Sequence, residues 1–334
     1  MKKRDVYFSF VGLVILGLIL LAGSAQVPPG INPNVRVGFG ASSYADVPAW
    51  AHRLGANWYV NWSVVQAIKG SYPEIWQMVR STHNGGLEPS QQLITLAARN
   101  DPGAVWIIGN EPDNIWQDSL TPEAYAHFYH DTYALIKSAD PSARIAVGGI
   151  SQATPIRLSY LDQVLADYRK DFGSSLPADW WTLHGYVLQE KHGSWGVDIP
   201  PGFSNQTGTL YTISDHGSVS LFETQIRAFR IWMAKNGYRN KPLALTEFGI
   251  LLPQDFGYTP AVISTYLTTT FSWLDTASDN QTGYAQDLNH LVQKWAWFSL
   301  SDPTYSVPDL VDLKSETLTM TGSAYSEWTK SHKN

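Results

Sequence analysis

Val105-Trp106-Ile107-Ile108-Gly109-Asn110-Glu111-Pro112-Asp113 is an apolar run that stops on a glycine, a carboxylate and a proline. Four bulky residues without a polar break predict a strand buried on both faces, the form a parallel strand takes when helices cover its sheet. Gly109 and Pro112 are breakers, so Asn110 and Glu111 fall where the strand opens into its loop. A second run, Pro242-Leu243-Ala244-Leu245-Thr246-Glu247-Phe248-Gly249, is built the same way and also ends on a glutamate.

Runs of this kind recur along the chain. Strands are expected at residues 35–41, 56–62, 75–81, 105–110, 144–149, 180–186, 243–246 and 294–300. Amphipathic stretches at 47–54, 89–99, 121–139, 156–168, 219–236 and 260–274 fill most of the gaps, several opened by Asp, Ser or Thr, and a closing helix runs past Tyr325. Eight strands alternating with helices predict an α/β chain folded as a single (β/α)8 TIM barrel. An open dinucleotide-binding sheet fits less well, because Gly38-Phe39-Gly40-Ala41-Ser42-Ser43 has serine where that fingerprint has its third glycine. The one oversized connection, residues 189–218, follows the sixth strand, and a loop that long inside a compact domain usually has a task.

The chain starts Met1-Lys2-Lys3-Arg4 and continues through an apolar stretch at 6–22 to Gly23-Ser24-Ala25. That is the layout of an export leader: residues 1–25 are expected to be a signal peptide or an N-terminal membrane anchor, 26–34 a linker, and 35–334 the catalytic domain. The basic start before the apolar run favours translocation of everything that follows, so an extracellular or cell-surface location is expected, with the membrane met only through the anchor. The leader carries three cations and one anion, so its loss would move the formal charge from −6 to −8, which argues against a nucleic-acid partner. Cysteine is absent, which excludes disulfides and thiolate chemistry. Tryptophan occurs 14 times, and Trp58, Trp62, Trp116, Trp181, Trp195 and Trp297 are candidates for stacking on sugar rings.

Two carboxylates converging from different strands suit glycosidic-bond cleavage, which needs one carboxyl protonated and one ionised. Glu111 ends the fourth strand and Glu247 the seventh, both at the C-terminal mouth where barrel enzymes keep their chemistry. A separation of about 5–5.5 Å, the retaining distance, is expected. Other hydrolytic chemistries lack their signatures: there is no His-x-His cluster for a metal hydrolase and no Gly-x-Ser-x-Gly elbow. No cofactor is expected, and the partner is a polysaccharide or oligosaccharide. A non-catalytic glycan-binding barrel would keep the aromatics but has no use for both glutamates, while a transglycosylase would use the same residues.

Asn110-Glu111-Pro112 and Thr246-Glu247-Phe248-Gly249 resemble the acid/base and nucleophile motifs of the retaining glycoside hydrolases of clan A, which are (β/α)8 barrels. The resemblance implies general acid/base for Glu111, a bond to the sugar 2-hydroxyl for Asn110, and nucleophile for Glu247. Residues 57–62 and 107–113 also look like segments of a compact β-1,3-glucanase-like family described as a glycosyl hydrolase catalytic core. In clan A a Tyr or His at the end of strand six often bonds the nucleophile or the sugar, which points to His184 and Tyr186. Trp297 on strand eight resembles the aromatic platform beneath the sugar at the cleaved bond. Asn61, Trp62, Arg80 and His83 are further candidates at the ends of strands two and three. From the long loop, Trp195, Phe203 and Tyr211 are expected to wall the groove.

Overall fold

The computed structural model describes residues 34–42, 46–82 and 85–332. The expected leader and His83 lie outside them. Eight strands form the barrel: β1 Asn34–Gly40, β2 Ala56–Val60, β3 Glu74–Ser81, β4 Val105–Ile108, β5 Arg144–Ile150, β6 Trp180–His184, β7 Leu243–Glu247 and β8 Lys294–Trp297. Every neighbouring pair is parallel, and β8 pairs with β1, so the sheet closes and has no free edge. Two short antiparallel pieces are added outside this ring: Leu87–Glu88 beside the end of β3, and a hairpin of Val311–Asp312 with Thr317–Leu318.

Seven helices cover the barrel: α1 Val47–Leu54, α2 Gln91–Asn100, α3 Pro122–Ala139, α4 Pro155–Phe172, α5 Val219–Lys235, α6 Pro260–Thr276 and α7 Met320–Ser331. Their starts follow from local chemistry. Thr121 and Thr259 each accept a bond from the third residue into the helix, with proline next in the chain, and Ser218 and Asp46 cap α5 and α1 in the same way. No helix separates β2 from β3; an irregular segment covers that face instead. Outward-facing Gln77, fully buried, joins this segment to the sheet: its side chain accepts from the Val65 amide at 2.9 Å and donates to the Val65 carbonyl at 3.1 Å. A buried backbone that lacks a helical partner is thus satisfied by a side-chain amide.

Alternation along each strand divides the core into two layers. Trp58, Val60, Trp76, Met78, Val105, Ile107, Ala146, Ala244 and Ala296 fill the barrel interior. Three alanines leave the room that Trp58 and Trp76, with ring centres 4.8 Å apart, occupy. The opposite parity, including Trp106, Ile108, Trp181, Leu183, Trp295 and Trp297, packs outward against the helices. Trp58, Trp181 and Trp297 are therefore core side chains, not the sugar platforms expected of them. Among the described residues no helix is long and apolar enough to cross a membrane.

Candidate active site

The turn after β4 carries Glu111 to the mouth of the barrel. Gly109 at φ 90° and Glu111 at φ 44° both adopt left-handed backbone, which for a glutamate costs energy and needs support. The support is visible: the Glu111 amide donates to the Gly149 carbonyl at 3.0 Å, and its own carbonyl accepts from the Asn114 amide at 3.0 Å. Asp118, fully buried, ties the ends of β3 and β4 together by accepting from the Ser81 amide, the Asn110 amide and Arg80 Nε.

Glu247 reaches the same mouth through an irregularity. Leu243 and Leu245 face the helices, so strict alternation would send residue 247 outward as well. The β6–β7 register pairs Leu183 with Leu245 but His184 with Glu247, so β7 holds one extra residue, and this bulge turns Glu247 inward. Its neighbour Phe248 then packs outward against Phe222 and Trp297.

Between the two glutamates stands His184, fully buried at the end of β6. Its Nδ1 lies 2.8 Å from Glu111 Oε1 and its Nε2 3.5 Å from Glu247 Oε1, and one donor atom from each of the three residues lies within 4.8 Å of the others. Both carboxylates have further donors. Asn114 Nδ2 donates to Glu111 Oε2 at 2.5 Å, Trp62 Nε1 to Glu247 Oε1 at 2.5 Å, and the Tyr186 hydroxyl to Glu247 Oε2 at 3.1 Å. Gly149 makes this arrangement possible, because a Cβ there would stand 2.7 Å from His184 Cδ2.

Burial is the largest influence on all three groups, yet the net directions differ. For Glu111, burial is outweighed by the hydrogen bonds and charge of His184 and the bond from Asn114, and its carboxyl is held below the ordinary range. For Glu247, burial and the Glu111 charge outweigh His184, Trp62 and Tyr186, and its carboxyl is raised. For His184, burial is outweighed by the two carboxylates, and its imidazole is raised. These directions favour a proton held on His184 beside an ionised Glu111. Three donors this close could also hold a cation, which would take the place of that proton on His184.

A pocket opens above the trio, walled by Asn114, Trp116, Gln117, Tyr186, Phe298 and Tyr305 together with Leu188, Gly196 and Val197 from the connection after β6. That connection is anchored by Arg157, fully buried in the first turn of α4. Arg157 donates to the Asp113 carboxylate and carbonyl, to Glu190 Oε1 at 2.8 Å, and to the carbonyls of Val197 and Asp198 at 3.1 and 2.8 Å. One guanidinium therefore joins the turn that carries Glu111 to the loop that walls the pocket.

Glu111, Glu247, His184, Tyr186 and Trp62 come together as one bonded group. Asn110 lies beside it: its Nδ2 donates to Gln117 Oε1 at 3.2 Å, while its buried Oδ1 has no partner. Asn61 accepts from the Ser63 amide in a local turn and does not line the pocket. Arg80 is taken up by Asp118 and Gln117. Trp297 is a correction: it is fully buried on the helix side, and its Nε1 donates to the Pro308 carbonyl at 2.9 Å. Ala296 faces the barrel interior, so Phe298, two residues on, carries the strand-eight aromatic into the pocket. In the long loop, Trp195 packs beside the pocket's apolar cluster and Phe203 lies farther out near Tyr160, whereas Tyr211 turns away to Gln225. Sequence reasoning missed Asn114, Phe298, Tyr305 and Arg157. Of these, Phe298 follows from alternation once Ala296 is known to face the interior, and the others had no readable signal.

No family model matches the sequence, and no curated protein is similar to it at the sequence level. Solved structures do match. A family 128 glycoside hydrolase (subgroup I), an endo-β-1,3-glucanase from Amycolatopsis mediterranei in complex with laminaritriose, aligns at TM-score 0.59 and 16% identity over 88% of this chain and 100% of its own. A subgroup II endo-β-1,3-glucanase from Sorangium cellulosum aligns at TM-score 0.59 and 17% identity, covering 87% and 97%. A subgroup III curdlan-specific exo-β-1,3-glucanase from Blastomyces gilchristii aligns at TM-score 0.56 and 17% identity, again over 87% and 97%. At such identity the likeness establishes the barrel fold.

Proposed function

We propose that this chain is an exported retaining glycoside hydrolase that cleaves β-linked glucan by double displacement, with Glu111 as acid/base and Glu247 as nucleophile. The observation that carries the reading is the buried pair of carboxylates, bridged by His184, with donor atoms within 4.8 Å of one another at the mouth of a (β/α)8 barrel. An inverting pair would stand roughly 6.5–9.5 Å apart to admit a water between carboxylate and sugar. The two motifs that resemble clan A sit at the ends of β4 and β7, and the unpartnered Asn110 Oδ1 suits a sugar hydroxyl. β-1,3-Glucan is favoured as the substrate because the similar solved barrels are β-1,3-glucanases, several in complex with laminari-oligosaccharides. Export is inferred from the leader alone.

In the first step the Glu247 carboxylate attacks the anomeric carbon as the glycosidic C–O bond breaks, and Glu111 protonates the leaving oxygen. In the second, water attacks the glycosyl ester, Glu111 takes its proton, and Glu247 is released. Glu111 is held ionised in the free protein, so its proton must be supplied. The His184 Nδ1–H, 2.8 Å from Glu111 Oε1, is the donor at hand. Moving that proton converts a buried ion pair into a neutral pair, a change that entry of a sugar and expulsion of water favour. His184 in this scheme is a positioning and proton-storing residue, and Trp62 and Tyr186 keep the Glu247 carboxylate aimed and ionised. The test is a hydrolysis screen over soluble β-1,3-, β-1,4- and mixed-linked glucans with product sizing. Cleavage confined to polymers containing β-1,3 links is expected; no cleavage of any β-glucan would overturn the reading.

A further inference from the structure

A second concavity, of about 230 Å³, lies beside the catalytic pocket and belongs to the same two chain segments. Asn114, Trp116 and Gln117 line the first pocket and Ile115 the second; Gly196 and Val197 line the first and Asp198 to Gln206 the second. Trp116, the ridge residue of the first segment, is 36% exposed, so part of its indole is open to a ligand. The floor is apolar, made by Ile199, Pro200 and Phe203, and its rim carries His192, Asn205 and Gln206. Among the described residues the side chains of Ser204, Asn205 and Gln206 make no hydrogen bond within the protein. Apolar floor and unengaged amides are what a neutral sugar unit needs, one for its C–H face and the other for its hydroxyls.

The concavity is also held rigid. Asp198 sits at φ 54°, and its carboxylate accepts from the Ile199 amide at 2.6 Å, the Gly193 amide at 3.0 Å and His192 Nδ1 at 3.2 Å. Arg157 holds its carbonyl from below. A strained residue fixed from both sides indicates a loop ordered before any ligand arrives, which lowers the entropic cost of binding.

We infer that this second concavity is a distal subsite for a β-glucan chain, reached over Trp116 and gripping a sugar unit beyond those at the cleaved bond, so that it sets a preference for longer substrates. The inference rests on the β-glucan hydrolase reading. Its test separates binding from turnover. Calorimetry in the Glu247→Gln background compares laminaritriose with laminarihexaose, alone and with Phe203→Ala or Asn205→Ala added; Asn205 is exposed, so its variant keeps the test sound if Phe203→Ala misfolds. Hexaose is expected to bind at least tenfold more tightly than triose, and each added substitution to remove about tenfold of hexaose affinity while shifting triose less. Equal losses for both sugars, no loss, or no hexaose binding would overturn the subsite. Hexaose binding that depends on Asn205, in a chain whose unmutated form turns over no β-glucan, would uphold the subsite and overturn the hydrolase.

Discussion

His184 makes the two carboxylates one titrating unit, and this has a defined consequence for pH dependence. On the proposed mechanism activity requires Glu247 ionised; burial raises its carboxyl above the ordinary 4.5, so the acid limb of kcat/KM should lie above that value. It also requires the proton that His184 and Glu111 share; the imidazole is raised above 6.5, so the alkaline limb should lie above that value. A profile flat to about pH 9, or an acid limb within the usual carboxylate range, would contradict the shared-proton account. Substitution should divide the roles. Glu247→Gln should abolish turnover on every substrate, whereas Glu111→Gln should be mildest on aryl glycosides whose leaving groups need no proton. Gly149→Ala should push on the His184 ring and lower kcat about tenfold or more with KM little changed, because binding groups stay in place while the proton donor is displaced.

At the scale of elements, a buried guanidinium ties the connection after β6 to the turn that carries Glu111. Glu190→Ala leaves half of the Arg157 charge unmatched in a fully buried position, and should cost about 3–5 kcal/mol of stability, measurable by denaturant titration. Its KM for polysaccharide should rise, because Leu188 and Val197 wall the pocket. The same elements mark what the sequence made legible. All eight barrel strands and all seven helices lie where apolar runs and periodicity put them, since repetition and capping are local signals. Glu111, Glu247 and His184 were readable because each closes a strand. The parity of a strand end was not: Trp295, Trp297 and Phe298 look alike in sequence, and only the packing of Ala296 into the barrel decides which aromatic reaches the pocket. Nor was the extra residue in β7, because a bulge is a property of two paired strands. Arg157 was illegible for a related reason, as its partners Asp113, Glu190 and Asp198 are brought to it by two connections far apart in the chain.

In the whole molecule, a closed barrel filled by tryptophan and alanine holds the mouth rigid. Trp76 packs between Trp58 and Trp180, so Trp76→Ala should open a cavity that the closed sheet cannot collapse around, costing about 3–5 kcal/mol in chemical denaturation. The fold itself is shared with β-1,3-glucanases at 16–18% identity, so the claim of function rests on what this chain places at that mouth. The central claim is that two glutamates, with a carboxylate oxygen of each within 4.8 Å of the other's, act by double displacement. It is tested most directly by the anomeric configuration of the first product, followed by proton NMR as the enzyme cleaves laminarihexaose. The account predicts that the β-anomer appears first and mutarotates afterwards. Initial release of the α-anomer would contradict it.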